Sequence, residues 1–398
     1  MVVDFQHHYV PVELAKKRGL YSDKTTYLQE GGRRATTMHA RLYDLDLQLK
    51  DMREGGIDVS VLSCLLGWNA SLDECRLIND DLSGVQAKYP GKFVGLAQAP
   101  ILDGKEALQE IDRAIRTLGL KGITITSQIK GVSLDSPKLY DLYEKVCELD
   151  VPIFVHPALV PIGYELLQEY DLPRVLGREV DLAVATTRLI AGGILDRFPK
   201  LKLVIAHFGG GIAAVKDRLI GKGYRFGTLK RSFADYFEML YFDLAGFEGG
   251  LPALHCALQG IRPERLVFAS DYPQDFTGVN TDTGKGMLEL RGYIDAIRQL
   301  PLGEEIKDGI LGATAMALLK LYSSILLTPT SRPRKAGTHE LFKDLLKILA
   351  VKLTVVRPNF FRRASRYSLR HSPACCRAWI RPLTSLFLHP RRLSLSLF

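Results

Sequence analysis

The chain has 398 residues, 46% hydrophobic and 24% charged, an ordinary globular composition with room for an α/β barrel of about 250 residues or more. Its net charge of +9 is unevenly placed: residues 329–398 carry 15 Lys and Arg against 2 Asp and Glu, leaving 38 basic and 42 acidic residues in 1–328. A main segment at −4 lacks the electrostatic footprint of a nucleic-acid partner, and no run of about 18 apolar residues predicts a membrane span.

In chain order, apolar runs alternate with amphipathic stretches. Val2–Gln6 reads as a strand. Residues 9–37 then break the rhythm: they are polar, contain Gly31-Gly32-Arg33-Arg34, and predict a lid-like insertion, the alternative being a plain surface loop. A helix around Ala40–Gly55 precedes a strand at Asp58–Ser63. The pattern continues with a helix near Asp73–Lys88, a strand at Phe93–Gln98 and a helix around Gly104–Leu118. Next come Gly122–Thr126, the helix Pro137–Leu149 and Val151–Val155. A long helix around Val180–Arg197 leads to Leu201–Ala206, and Tyr241–Leu244 and Leu266–Ser270 complete eight strands. Continuous rather than alternating apolar strands argue for a parallel sheet, and eight repeats for a closed (β/α)8 TIM barrel spanning 1–327. Its last helix is expected at Ile310–Leu321.

From residue 328 the texture changes. SRPRKAGTH is a linker by composition, and the remainder of 328–398 is expected to be a basic, disordered or partly helical tail. Within it, His339–Leu353 has the spacing of a basic amphipathic helix, which would be the one route to a membrane surface, and Cys375-Cys376 offer a lipidation or metal reading. The other cysteines, Cys64, Cys75, Cys147 and Cys256, are scattered without a CxxC pair, as in a reduced cytoplasmic protein. GxGxxG and phosphate-loop patterns are missing, so nucleotide cofactors are not expected.

Four polar residues end apolar strands: His8 in VVDFQHHYVP, His156 in VPIFVHP, His207 in LKLVIAHFGGG and Asp271 in LVFASDYP. In a parallel barrel such ends meet at one mouth, and three imidazoles with a carboxylate are metal-ligand chemistry. Strand alternation puts Asp4, Gln6 and His8 on one face and His7 on the other, so Gln6 would be the first donor of an i, i+2 pair, its amide oxygen neutral and weaker than imidazole. Substrate anions would need cations, for which Arg188, Arg225, Arg33 and Arg34 are candidates; Tyr224, Phe226 and Phe276 could form an aromatic wall.

VDFQHHYVP, PIFVHP, ATTRLIAGGILDRFPKLKLVIAHFGGG, YFDLAG, LVFASDYP and the closing ILGATAMALLKL resemble, over about residues 1–325, the amidohydrolase-superfamily group typified by aminocarboxymuconate-semialdehyde decarboxylase. The resemblance implies a (β/α)8 barrel with one divalent metal, Zn²⁺ foremost and Mn²⁺ second, and suggests a homodimer. By position it makes His8, His156 and Asp271 metal ligands and His207 the catalytic histidine close to the metal's water. The group's first strand usually has HxH or ExH, where this chain has Gln6-His7-His8.

The expected function is a metal-dependent decarboxylase (a carboxy-lyase) of a small aromatic or muconate-like carboxylic acid, with Asp271 or water as proton donor and His207 as partner. The alternative is a hydrolase of amide, lactone or C–C bonds on the same site, because metal-activated water would use the same parts. A third reading is an inactive, metal-poor barrel with a binding role in the tail.

Overall fold

The computed structural model describes residues 1–22, 24–227, 229–246, 251–274 and 286–321. The tail, with His339–Leu353 and Cys375-Cys376, lies outside the described residues, as does Phe276. Eight parallel strands form one sheet in chain order: β1 (Val3–His8), β2 (Val59–Ser63), β3 (Phe93–Ala97), β4 (Gly122–Thr126), β5 (Pro152–His156), β6 (Lys202–Ile205), β7 (Tyr241–Asp243) and β8 (Leu266–Val267). The sheet returns on itself: Phe5 N–H donates to Phe268 O and His8 N–H to Tyr272 O, each at 2.9 Å. This is the (β/α)8 barrel expected from the sequence.

Every residue of β1 to β5 is buried, which is why these strands read as unbroken apolar runs. Inside, the Phe5 ring meets Phe154 edge-on at 5.7 Å, and Phe154 in turn packs below His156 at 6.2 Å. The outer helices start where the sequence supplies caps. Asp44 accepts from the N–H groups of Asp46 and Leu47 at 3.0 Å to start Leu45–Gly55, and Ser71 with Glu74 makes a capping box for Leu72–Lys88.

Three expectations are corrected. The regular part of β8 stops at Val267 instead of Ser270, because Phe268 N–H turns to Ile310 O at 2.8 Å and Ser270 N–H to Asp4 Oδ1 at 2.9 Å. The long helix around 180–197 is two, Arg178–Ala191 and Ile194–Arg197, separated where Gly193 takes a φ of 72°. On β1 the register slips between Asp4, opposite Ser60, and His7, opposite Leu62, so one extra residue is accommodated and strict alternation fails. Asp4 therefore sides with His7, whose Nδ1 lies 2.9 Å from its Oδ2, while Gln6 and His8 remain together.

The insertion is built structure. A helix at Val12–Lys17 is followed by an antiparallel hairpin, Thr26–Glu30 with Arg33–Met38, which turns through Gly31 and Gly32, both at positive φ. Its second strand buries Ala35, Thr36, Thr37 and Met38.

Candidate metal centre

The barrel mouth collects the strand-end residues. Donor atoms of His8, His156 and Asp271 all lie within 4.8 Å of one another, with both histidines buried. His156 Nδ1 is 2.7 Å from Pro157 O. A carbonyl oxygen only accepts, so Nδ1 carries the proton and Nε2 presents a lone pair. Burial, aided by the neighbouring His8, holds His156 well below its ordinary pKa and keeps the ring neutral. Burial works against ionised Asp271, but the hydrogen bond and charge of His8, with His207 and His156, outweigh it and hold the carboxyl well below its usual range.

As an anion Asp271 only accepts. His8 Nε2 donates to its Oδ1 at 2.8 Å, and Ser63 Oγ lies 3.1 Å from His8 Nδ1, placed to accept when the proton moves to that nitrogen. Gln6 Nε2 donates to the same Asp271 oxygen at 2.6 Å and lies 3.2 Å from His207 Nε2. Gln6 Oε1 is buried without a hydrogen-bond partner among the described residues. An unpaired buried amide oxygen costs about 1–3 kcal/mol; the end of the amide that Gln6 turns toward Asp271 is its Nε2. Two imidazoles and one carboxylate fit a divalent metal ion.

His207 follows β6 on the turn His207–Gly211, in which all five residues have positive φ, from 52° to 73°. L-residues resist that backbone, so the three consecutive glycines are what permit it. A Cβ on Gly210 would overlap the carbonyl oxygen of Glu179. Its absence lets the helix Arg178–Ala191 lie against the turn, bringing Glu179 Oε1 to 2.8 Å from His207 Nδ1. The His207 backbone N–H donates to Asp243 Oδ1 at 2.7 Å. Burial alone would lower His207, but the charge and hydrogen bond of Glu179, joined by the charges of Asp271 and Asp243, raise it to about 10. Burial pushes Asp243 up to about 7, with His207 opposing.

Several participants were not singled out from the sequence. Trp68 lies in the loop after β2 and stacks on the His156 ring at 4.1 Å and 23°, its Nε1 donating to Thr124 Oγ1 at 3.2 Å. Its only signal was rarity, since the chain has two tryptophans. Asp243 sat inside the quoted YFDLAG motif, whereas no spacing pointed to Glu179. Beside the centre, a cleft of about 250 Å³ is lined by residues including Glu30, Trp68, Asn69, Lys130 and Leu159.

Two of the arginine candidates lie elsewhere. Arg188 forms a forked ion pair with Asp135 at 2.8 and 2.9 Å on the outer helix layer. Arg225 has its Nε 3.2 Å from the hydroxyl of Tyr224, which is itself exposed. The structure brings neither to the His8–His156–Asp271 group. Phe226 packs on Phe233 at 5.5 Å.

The amidohydrolase family model matches residues 3–321. The chain is 32% identical over 175 residues to 2-amino-3-carboxymuconate-6-semialdehyde decarboxylase of Dictyostelium discoideum, a match covering 42% of this chain and about half, 48%, of that relative. It is 29% identical over 269 residues to gamma-resorcylate decarboxylase of Rhodococcus jostii (strain RHA1), covering 61% of this chain and 81% of that one. Among solved structures, 5-carboxyvanillate decarboxylase of Novosphingobium aromaticivorans, complexed with manganese, superposes with a TM-score of 0.66 at 25% identity, covering 81% and 96% of the two chains. No helix among the described residues is long and apolar enough to cross a membrane.

Proposed function

This chain belongs to the amidohydrolase family, and from that premise we propose that it is a metal-dependent carboxy-lyase that removes CO₂ from a small aromatic or muconate-like carboxylic acid. The observation that carries the proposal is the convergence of His8, His156 and Asp271 within 4.8 Å, with His207 alongside. The named relatives, decarboxylases of that acid class, support the reaction type. His8, His156 and Asp271 hold the ion in this reading, and a rotated Gln6 amide would offer its oxygen as a fourth contact. We take Zn²⁺ first and Mn²⁺ second; both suit the donor set.

When bound at His8, His156 and Asp271, the metal would supply Lewis-acid polarisation of the substrate. The chain's own residues do the rest. Loss of CO₂ leaves an electron pair on carbon that must receive a proton. Asp271, held as an anion, suits the role of ligand better than that of acid. His207 is raised to about 10 in the metal-free protein and its Nδ1 is tied to Glu179, so its Nε2 is the donor we assign. The Trp68 face offers a flat apolar wall for an aromatic or conjugated substrate. The free thiols of Cys64, Cys75, Cys147 and Cys256 support a cytoplasmic location.

The test is CO₂ release from a panel of hydroxybenzoic and unsaturated carboxylic acids by the full chain supplied with Zn²⁺ or Mn²⁺. Metal-dependent CO₂ supports the carboxy-lyase. Water consumed without CO₂ selects the hydrolase alternative, and a chain that takes up no metal overturns both.

A further inference from the structure

Asp181 is buried in the first turn of the helix Arg178–Ala191, two residues after Glu179. Three neutral groups donate to it: Ser127 Oγ to Oδ2, and Gln128 Nε2 and Tyr164 Oη to Oδ1, the last two at 2.8 Å each. Ser127 and Gln128 follow β4 and Tyr164 follows β5, so one carboxylate joins two loops of the barrel mouth to a helix start. The helix dipole favours an anion at that end.

From Asp181 one arm runs to His156. A carboxylate only accepts, so the Ser127 hydroxyl directs its proton to Asp181, and its oxygen is left to accept Ala158 N–H at 2.8 Å. The Ser127 backbone N–H donates to His156 O, also at 2.8 Å. Ser127 therefore brackets Pro157, which has no N–H of its own, from both sides. The Pro157 carbonyl held in that bracket accepts from His156 Nδ1, which leaves Nε2 to present its lone pair. The second arm runs to His207. Glu179 Oε1 lies 2.8 Å from His207 Nδ1, while its buried Oε2 has no hydrogen-bond partner among the described residues. The place of that carboxylate is therefore set by the helix backbone, whose start Asp181 fastens. Gln128 reinforces the fastening through the backbone of Ile162, donating from Nε2 to its O and accepting its N–H at Oε1, each at 3.1 Å.

We propose that Asp181 is a positioning residue for both imidazoles: through Ser127 it fixes which ring nitrogen His156 offers, and through the helix start it holds Glu179 against His207. The roles of the two histidines rest on the carboxy-lyase reading above; their ring states are readable in the metal-free chain without turnover.

The test combines ¹⁵N-histidine NMR of the full chain without metal, Mn²⁺ binding by chelator competition, and kinetics at saturating Mn²⁺. In the unmodified chain one imidazole should show a protonated Nδ1 with a bare Nε2, a signal lost on His156→Ala. Another should show a hydrogen-bonded Nδ1–H, lost on Glu179→Gln. Asp181→Asn sets an amide N–H₂ where an oxygen accepted. It should disturb both signals, weaken Mn²⁺ binding about 10-fold, and lower kcat about 10-fold with KM within about 2-fold. Asp181→Glu keeps two acceptor oxygens and should restore most of each. Ser127→Ala cuts the first arm, so it should disturb the His156 signal and weaken Mn²⁺ by a similar factor while the His207 signal persists. Thermal melting accompanies each variant, and Ser127→Ala carries the test if Asp181→Asn does not fold. Unchanged signals and Mn²⁺ affinity in folded Asp181→Asn, or an intact His156 signal and Mn²⁺ affinity in Ser127→Ala, overturn the proposal. Disturbed signals in the variants of a chain that releases no CO₂ from any acid leave the positioning role standing and remove the carboxy-lyase.

Discussion

His156 and His207 are 6.1 Å apart by ring centroid, yet their surroundings push them in opposite directions. His156 is buried beside another imidazole and stays neutral, as its proposed role of ligand requires; His207 is flanked by Glu179, Asp271 and Asp243 and keeps its proton in the metal-free protein. Removing the first should therefore empty the site: His156→Ala is expected to lower metal content from about one ion per chain to near zero by elemental analysis, with activity down at least about 100-fold. Gln6 leaves the donor set with one carboxylate. Gln6→Glu should tighten metal binding roughly 10-fold in a chelator competition, since it replaces a neutral oxygen by an anionic one. The raised His207 pKa has a signed consequence in metal-free protein. Between pH 6.5 and 10 the folded chain holds a proton that the unfolded chain has released, so this contribution is complete below 6.5 and is lost toward 10, at about 1 kcal/mol per pH unit. Urea titrations at several pH values should show that decline, and Glu179→Gln should flatten it. The four strand-end residues were legible in the sequence because each closes an apolar run; Glu179 was not, because only the packed helix brings it to His207.

The turn His207–Gly211 shows how an element can be decided by its neighbours. HFGGG closes an apolar run in the sequence; in the structure the chain winds left-handed there, and Gly210 gives up its side-chain space to the Glu179 carbonyl. Gly210→Ala should cost at least about 2 kcal/mol by urea denaturation, from strained φ plus steric overlap, and should reduce kcat as Glu179 is displaced from His207. The slip on β1 is of the same kind. Period-2 alternation put Asp4 with Gln6 and His8, but one extra residue fits between the positions opposite Ser60 and Leu62, and Asp4 instead accepts from Ser270 and pairs with His7. The outer helices were expected from their amphipathic spacing, and the caps Asp44 and Ser71, acting within three residues of themselves, set where two of them start.

At the scale of the molecule, the acidic main segment and the basic tail are chemically distinct. Contacts divide the chain at Ser331, close to the composition change at 328. Residues 1–327 are accordingly expected to fold alone, to keep about one metal ion per chain, and to lose retention on a cation exchanger at pH 7 because the +13 of residues 329–398 is gone. Loss of metal in that fragment would mean that the tail supports the barrel.

Strand and helix order, the parallel barrel, and the gathering of His8, His156, His207 and Asp271 were determined by the sequence alone. Buried parallel strands must be apolar along their length, and in such a barrel their C-terminal ends share one face. Only the tertiary structure decided which groups surround those four. Trp68, Glu179 and Asp243 come from a loop, a helix and a neighbouring strand end, and their approach depends on close packing rather than on any local spacing. It likewise drew Arg188 into an ion pair with Asp135, because an exposed helix arginine is claimed by the nearest carboxylate on the next layer.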